Sequence, residues 1–133
     1  MIDLEQPDFS LARDADLVIC ADVIEHLENP DRLMAFIAAS MGERGHTILS
    51  TPDRLAMHGE ENTRPANPAH IREWSRKELR RYVESKGFTV LKQFNVMTVP
   101  IRSGRMFFDE CLRPLLQGRS LFCNQVVLLE QAR

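Results

Sequence analysis

The sequence predicts an α/β domain in which short strands alternate with amphipathic helices. Two patterns support this fold class: apolar runs of strand length recur along the chain, and the segments between them carry helix-start and helix-stop signals. Size is a third observation, because 133 residues can bury one hydrophobic core but are few for a doubly wound α/β enzyme. We therefore expect residues 1–133 to form a single domain with about half of a larger sheet.

The first half of the chain is predicted to form two strands joined by a helix. Residues 16–20 are an apolar run without alternation, which is typical of a strand buried on both faces of a parallel sheet. An Asn N-cap, a first-turn proline and helical spacing of apolar residues predict a helix over residues 30–42. Gly42 ends this helix, and residues 46–50 follow as the second strand.

A long loop and a capped helix are predicted next. Residues 52–73 are rich in proline and polar residues, and a loop of this length in a compact domain is usually functional, so we expect a lid. Ser75 and Glu78 have the spacing of a capping box, which predicts a helix over residues 76–86. The remaining predicted elements are a strand over residues 88–96, a short helix around residues 106–112 and a last strand over residues 124–130.

Composition excludes several functional classes. Hydrophobic residues make up 44% of the chain and charged residues 27%, as in ordinary soluble domains. No apolar run approaches the roughly 20 residues that cross a bilayer, and the N-terminus lacks a signal-peptide pattern, so a cytoplasmic protein without a membrane partner is expected. The formal net charge of -2 makes a nucleic-acid partner unlikely.

Cysteines and clustered basic residues are both expected to be structural. Three cysteines at wide spacings fit neither a disulfide framework nor a paired metal site, so reduced core residues are predicted. The basic residues in and just before the helix predicted over residues 76–86 are more typical of a solvated helix face than of a phosphate-binding stripe. They are Arg72, Arg76, Lys77, Arg80 and Arg81.

The segment with the strongest chemical signal is 22–27, DVIEHL, which directly follows the first strand. Open α/β sheets place their ligand sites at this end of a strand. If the segment forms one helical turn, Asp22, Glu25 and His26 share one face. The alternative is structural: Asp22 caps the turn, and the other two side chains only bind neighbouring loops.

A second imidazole, His70, lies in the predicted lid. Together with Asp22, Glu25 and His26 it completes a set of two carboxylates and two imidazoles. Such oxygen and nitrogen ligands suit Mg²⁺, Mn²⁺, Zn²⁺ or Fe²⁺, and the spacing does not choose among these ions. A divalent metal is therefore a possible cofactor of this site.

Three segments resemble class I, Rossmann-like S-adenosylmethionine (SAM)-dependent methyltransferases. DLVICADVIEHLENPD resembles the fourth strand and following loop of that family, where an acid, an apolar pair and a Glu-His-Leu motif precede a proline-started helix. ILSTP resembles the fifth strand and its exit, and HIREWS the segment before the sixth. The resembling segments are residues 16–31, 48–52 and 70–75, within a likeness that covers residues 1–95.

The resemblance implies a fold and a cofactor site. The family's strand order is three, two, one, four, five, seven, six with the seventh antiparallel, so this chain would supply strands four, five, seven and six. Asp3 and Leu4 resemble the acid segment that contacts the cofactor's adenine in relatives. Cys20, Ala21 and Asp22 would lie beside the methionine portion of SAM.

A narrower likeness links the chain to metal-dependent O-methyltransferases, which pair an acid-x-x-Glu-His motif with a later histidine. Asp22, Glu25, His26 and His70 stand at the matching places, with Asp22 where Glu is more usual. In those enzymes the ion orients the acceptor hydroxyl and lowers its pKa, both common roles of a bound cation.

One departure limits what the resemblance implies. The family's glycine-rich turn is missing, because the first glycine of this chain is Gly42. A displaced start codon, a gene fragment and a subunit completed by another chain all explain this absence.

Three functions therefore compete. The first is an O-methyltransferase acting on a small-molecule, sugar or lipid acceptor, in which Asp22, Glu25 and His26 position or deprotonate a hydroxyl and His70 closes over it. The second is a non-catalytic or partner-completed subunit that self-associates through the sheet edge exposed beside the first strand. The third is a metal hydrolase using the same four side chains.

Overall fold

The computed structural model describes residues 3–59, 64–65, 67–97 and 121–132. They form four strands and three α-helices, with short 3₁₀ turns at Phe9–Leu11 and Ile24–His26. In chain order the elements are β1 (Ala15–Ala21), α1 (Pro30–Ser40), β2 (Met41–Pro52), α2 (Arg54–His58), α3 (Arg76–Ser85), β3 (Phe88–Val96) and β4 (Asn124–Gln131).

The four strands form one mixed sheet in the order β1-β2-β4-β3. β1 and β2 are parallel, whereas β4 runs antiparallel to both of its neighbours. This arrangement brings the carboxyl ends of β1 and β2 together with the start of β4, where Pro52 pairs with Asn124. The α/β prediction, with a four-stranded sheet and an antiparallel last strand, is confirmed.

Local signals explain where the two longer helices begin and end. The Asn29 side chain accepts the N–H of Asp31 at the start of α1, with Pro30 in the first turn. At α3 the Ser75 hydroxyl accepts the N–H of Glu78, while the Glu78 carboxylate accepts the N–H of Ser75, which confirms the capping box. Gly87 follows α3 with a φ of 85°, a conformation that glycine adopts without a steric penalty.

The core lies on one face of the sheet. α1 packs against β1 and β2, and α3 packs against β3. Alternating residues of the central strands point toward these helices and are fully buried, as expected for strands with a period of two. These residues are Thr47, Leu49 and Thr51 of β2 and Gln125, Val127 and Leu129 of β4.

Several predicted bounds need correction. α1 ends at Ser40 rather than residue 42, because Met41 is already extended and begins β2. The predicted loop over residues 52–73 contains α2, whose N-cap Asp53 accepts the N–H groups of Leu55 and Ala56. Cys20 is a buried thiol as predicted, Cys123 is half-buried rather than in the core, and neither forms a disulfide among the described residues. Cys111 and the helix predicted around residues 106–112 lie outside the described residues.

β1 is not buried on both faces, contrary to prediction. It forms the edge of the described sheet, and α1 covers one of its faces only. Leu17 and Ile19 point away from α1 and are 49% and 66% exposed. The apolar run therefore reflects a strand whose second face and outer edge are open to a partner.

No helix among the described residues has the length and apolar character needed to cross a membrane.

Candidate active site

A cavity of about 230 Å³ opens where β1 and β2 end and β4 begins. All four side chains predicted as catalytic line it, together with residues from β2, α2 and the start of β4. The lining residues are Asp22, Glu25, His26, Pro52, Met57, His70, Cys123 and Asn124. A larger cavity, of about 660 Å³, lies at the opposite end of β2, around Gly42–His46.

Asp22 turns the chain out of β1 in a left-handed conformation, with a φ of 52°. Among residues with a side chain, Asp and Asn adopt this conformation most readily, but it is still strained. The Asp22 N–H donates to the Ser50 carbonyl at 3.1 Å, and Oδ1 accepts from Ser50 Oγ at 3.0 Å and Asn124 Nδ2 at 2.8 Å. Local strain held by three hydrogen bonds is typical of functional sites.

Glu25 is fully buried beneath the cavity, in the Ile24–His26 turn. Its Oε2 accepts from Thr51 Oγ1 at 2.9 Å, whereas its Oε1 is buried without a hydrogen-bond partner. Burial raises the pKa of this carboxyl above its usual value. The Glu25 backbone carbonyl also accepts the N–H groups of Ile71 and Arg72, which ties the turn to the predicted lid.

His26 is exposed, and one of its ring nitrogens is fixed. Nδ1 lies 2.8 Å from the Ala69 carbonyl oxygen, which can only accept, so Nδ1 carries the hydrogen. In the neutral ring Nε2 then holds the lone pair. The structure thus prepares Nε2 of His26 to accept a proton or a ligand.

His70 packs edge-on against His26, with the ring centroids 4.8 Å apart. Its Nδ1 lies 2.8 Å from Oε1 of Glu73, and its Nε2 lies 3.0 Å from Nδ2 of Asn67. The Asn67 side-chain oxygen accepts the N–H of Ala69, which leaves Nδ2 to donate to His70. Both ring nitrogens of His70 are therefore engaged.

Two contributors, Glu73 and His58, were not predicted. The Glu73 carboxylate is fully buried and also accepts from His58 Nε2, at 3.0 Å. It thus links the end of α2 to the histidine at the cavity. The local signal for Glu73 is its position three residues after His70, whereas its second partner, His58, is 15 residues away.

The helical turn predicted over residues 22–27 is wrong in detail. The left-handed Asp22 cannot belong to a helix, and the turn that forms is a 3₁₀ turn over Ile24–His26. Glu25, His26 and His70 nevertheless bring one ligand atom each within 4.8 Å of one another, in a group that does not include Asp22. The structural alternative is also partly present, because Asp22 and Glu25 bind neighbouring strands.

A divalent metal does not fit this arrangement. Ligand bonds to Zn²⁺ are about 2.0–2.2 Å, so two oxygen or nitrogen ligands of one ion lie at most about 4.4 Å apart. The three atoms extend to 4.8 Å, and both nitrogens of His70 already have partners. Oδ1 of Asp22 is occupied as well, and the hydrogen bonds of the described residues leave its second carboxylate oxygen free.

The predicted cofactor-binding residues lie at the same end of β1 and in the segment before it. Cys20 is buried, which raises the pKa of its thiol to about 12, and Ala21 and Asp22 are exposed. Leu4 packs against the core. The carboxylate of neighbouring Glu5 accepts the N–H groups of Glu28 and Asn29, which anchors this segment at the start of α1.

Comparison with known proteins identifies the family. Residues 3–93 match the family model described as "Methyltransferase domain". Among curated proteins none matches the sequence of this chain.

Solved structures share the fold at low sequence identity. A putative methyltransferase from Haloferax volcanii, in complex with the Trm112 methyltransferase activator, superimposes with a TM-score of 0.70 at 15% identity, over 98% of this chain and 60% of that one. A SAM-dependent methyltransferase from Mesorhizobium loti gives a TM-score of 0.61 at 14% identity, over 96% and 66%.

A third structure was solved with ligands. The 1,6-didemethyltoxoflavin-N1-methyltransferase of Burkholderia thailandensis, with bound 1,6-didemethyltoxoflavin and S-adenosylhomocysteine, gives a TM-score of 0.62 at 18% identity, over 96% of this chain and 49% of that one. The chain thus spans between 49% and 66% of the length of these three proteins. The family match and the structural similarity point to the same class of protein. The chain belongs to the methyltransferase domain family, as a fragment of the class I SAM-dependent methyltransferase fold.

Proposed function

We propose that this chain is the acceptor-binding part of a SAM-dependent O-methyltransferase acting on a small-molecule, sugar or lipid acceptor. The observation that carries the proposal is the orientation of His26, whose Nδ1–H donates to the Ala69 carbonyl and whose Nε2 is left as a base beside the cavity. A base placed in this way can take the proton of an acceptor hydroxyl as it reacts.

For methyl transfer, the protein has to position the acceptor and the cofactor rather than form a covalent bond with either. Bound SAM supplies an electrophilic methyl group on a sulfonium. Nε2 of His26 would take the hydroxyl proton of the acceptor as the methyl group is transferred and S-adenosylhomocysteine is released. His70, held by Glu73 and Asn67, packs against His26 and limits its movement.

The cofactor would lie along the end of β1. We assign its adenine end to Asp3 and Leu4 and its methionine portion to Cys20, Ala21 and Asp22. The support is position: these residues lie in the segment before β1 and at its carboxyl end, where α/β sheets bind ligands. The strained, hydrogen-bonded backbone of Asp22 fits a role in shaping that site.

Residues 52–73 would form the lid over the acceptor. Pro52, Met57 and His70 all come from this segment and all line the cavity. Hydrogen bonds from the N–H groups of Ile71 and Arg72 to the Glu25 carbonyl attach the lid to the turn that carries His26.

No catalytic step is assigned to a metal. The ligand atoms of Glu25, His26 and His70 lie up to 4.8 Å apart with His70 already engaged, and the proposal places proton transfer on His26 alone. Glu25 then acts as a buried carboxylate under the site rather than as a ligand.

The test is methyl transfer from radiolabelled SAM to a panel of hydroxyl compounds. We expect labelled product with the wild-type chain and a loss of about 100-fold or more with His26→Ala, because general bases contribute roughly that factor. His46→Ala is the matched control, since His46 lies at the opposite cavity. Equal rates for the two variants, or no transfer together with no SAM binding, would contradict the proposal.

A specific observation favours a second function, that of a partner-completed or self-associating subunit without catalysis. Leu17 and Ile19 are exposed on an open sheet edge, which is a surface suited to pairing with a second copy. Sedimentation should then show a dimer that Ile19→Lys converts to monomer. Ile71→Lys changes an isoleucine that is 51% exposed outside this edge and should leave the dimer intact. A monomeric wild type would exclude self-association.

A further inference from the structure

Several hydrogen-bonding groups of the described residues around the cavity are acceptors that no donor engages. His26 offers the lone pair of Nε2, because its Nδ1–H is used by Ala69. Asp22 offers the carboxylate oxygen that Ser50 and Asn124 leave free. None of the described residues that line the cavity is a lysine or an arginine.

Two of the lining residues hold buried oxygens without any partner. Oε1 of Glu25 and Oδ1 of Asn124 are both buried and accept no hydrogen bond. Glu25 is fully buried and Asn124 is 7% exposed, and both side chains line the cavity. Buried polar atoms are nearly always paired in native proteins, and two unpaired acceptors lining one cavity indicate that a donor belongs there.

From these acceptors we infer that the ligand of this cavity carries a protonated amine. An ammonium group offers three donors and a positive charge, which match the unpaired oxygens and the charge of Asp22 and Glu25. The inference rests on the proposed function and narrows its acceptor to a small hydroxyl compound with an amino group, such as an amino sugar or amino alcohol. The cavity of about 230 Å³ has room for a molecule of that size.

An amine suits the site better than a metal ion. A metal needs its ligands about 2 Å from one point, whereas the ligand atoms of Glu25, His26 and His70 lie up to 4.8 Å apart and His70 is already engaged. Hydrogen bonds from an ammonium group are longer than metal–ligand bonds, so acceptors that lie farther apart can share one ammonium group. The walls formed by Pro52 and Met57 are also apolar, as expected around the carbon skeleton of an organic ligand. Burial raises the pKa of Glu25, and a neighbouring cation would favour its ionised form.

The test compares two probes that differ in the amine alone, glucosamine and glucose. Binding to the chain is followed by calorimetry and by the imidazole nitrogen resonances of His26. We expect glucosamine to bind at least about tenfold more tightly than glucose, as for a charge-assisted hydrogen bond. Glu25→Gln should remove that preference, whereas Glu28→Gln, the same change at an exposed neighbour, should keep it. Asp22→Asn keeps the acceptor Oδ1, lowers the charge and should weaken the preference in part.

Other results would overturn the inference. Equal affinities for the two sugars would show that the amine is not recognised. Binding of L-methionine without binding of glucosamine would assign the acceptors to the cofactor's own ammonium group. Binding of Mn²⁺ that Glu25→Gln abolishes, without glucosamine binding, would assign them to a metal. These measurements do not involve methyl transfer, so a failure of the proposed reaction would be seen separately.

Discussion

At the scale of single residues, Asp22 joins the fold to the site. Its left-handed backbone ends β1, and its carboxylate accepts from β2 and β4 through Ser50 and Asn124. Asn124 is 102 residues away in the chain, so sequence spacing predicted a candidate site at Asp22 but not this partner. The positive φ of Asp22 could not be predicted either, because a sequence pattern gives the order of the side chains and not the backbone angles.

The effect of a substitution at Asp22 on stability should depend on how well the new residue tolerates the left-handed backbone conformation. We expect Asp22→Asn to change the free energy of unfolding by less than about 0.5 kcal/mol, since Asn keeps Oδ1 and tolerates the left-handed conformation. Asp22→Val should cost about 2–3 kcal/mol, because a β-branched residue is strained there and the hydrogen bonds are lost. Urea denaturation measures both values, and equal stabilities for the two variants would contradict the assigned conformation.

Glu25 predicts a dependence of stability on pH. A buried carboxyl whose folded-state pKa lies above the ordinary value of 4.5 destabilises the fold when ionised. That penalty is absent below pH 4.5 and is fully present above the folded-state pKa. Glu25→Gln should therefore be more stable than wild type near neutral pH, and the difference should shrink as the pH falls toward 4.5. Thermal melts across this range test the prediction, which a constant difference would refute.

At the scale of elements, the capped helix α3 and strands β3 and β4 were predicted closely, because their signals are local. The capping box at Ser75 and Glu78 and the glycine after the helix need no distant partner to act. α2 was missed because five residues are too few for a helical period. Glu73 was missed because His58 is distant in the sequence, so only the folded chain places Glu73 between two imidazoles.

The start of β2 contains a glycine that the packing requires. A Cβ at Gly45 would lie 2.6 Å from the Ala15 carbonyl oxygen, whereas a Cβ at Gly42 would lie 3.6 Å from the same atom. We expect Gly45→Ala to lower the free energy of unfolding by about 1–3 kcal/mol, as overpacked sites do. Gly42→Ala is the matched control and should change it by less than about 0.5 kcal/mol. Similar losses at both positions would argue against this close approach.

At the scale of the whole molecule, the described residues cover one face of the sheet and leave the other face of β1 exposed. The covered face holds the core, and the strand ends beside it hold the candidate site. The open edge at β1 carries Leu17 and Ile19, and the chain spans 60% of the length of the Haloferax relative. The strand order implied by the resemblance to class I methyltransferases predicted this open edge. The apolar run of β1 alone predicted a strand buried on both faces.

The central claim is that the end of β1 and the segment before it bind the cofactor. A titration of the isotope-labelled chain with millimolar S-adenosylhomocysteine, followed by amide chemical shifts, tests it most directly. We expect saturable shifts at Leu4, Cys20, Ala21 and Asp22, with little change at Gly42–His46. Unchanged spectra, or shifts confined to Gly42–His46, would contradict it.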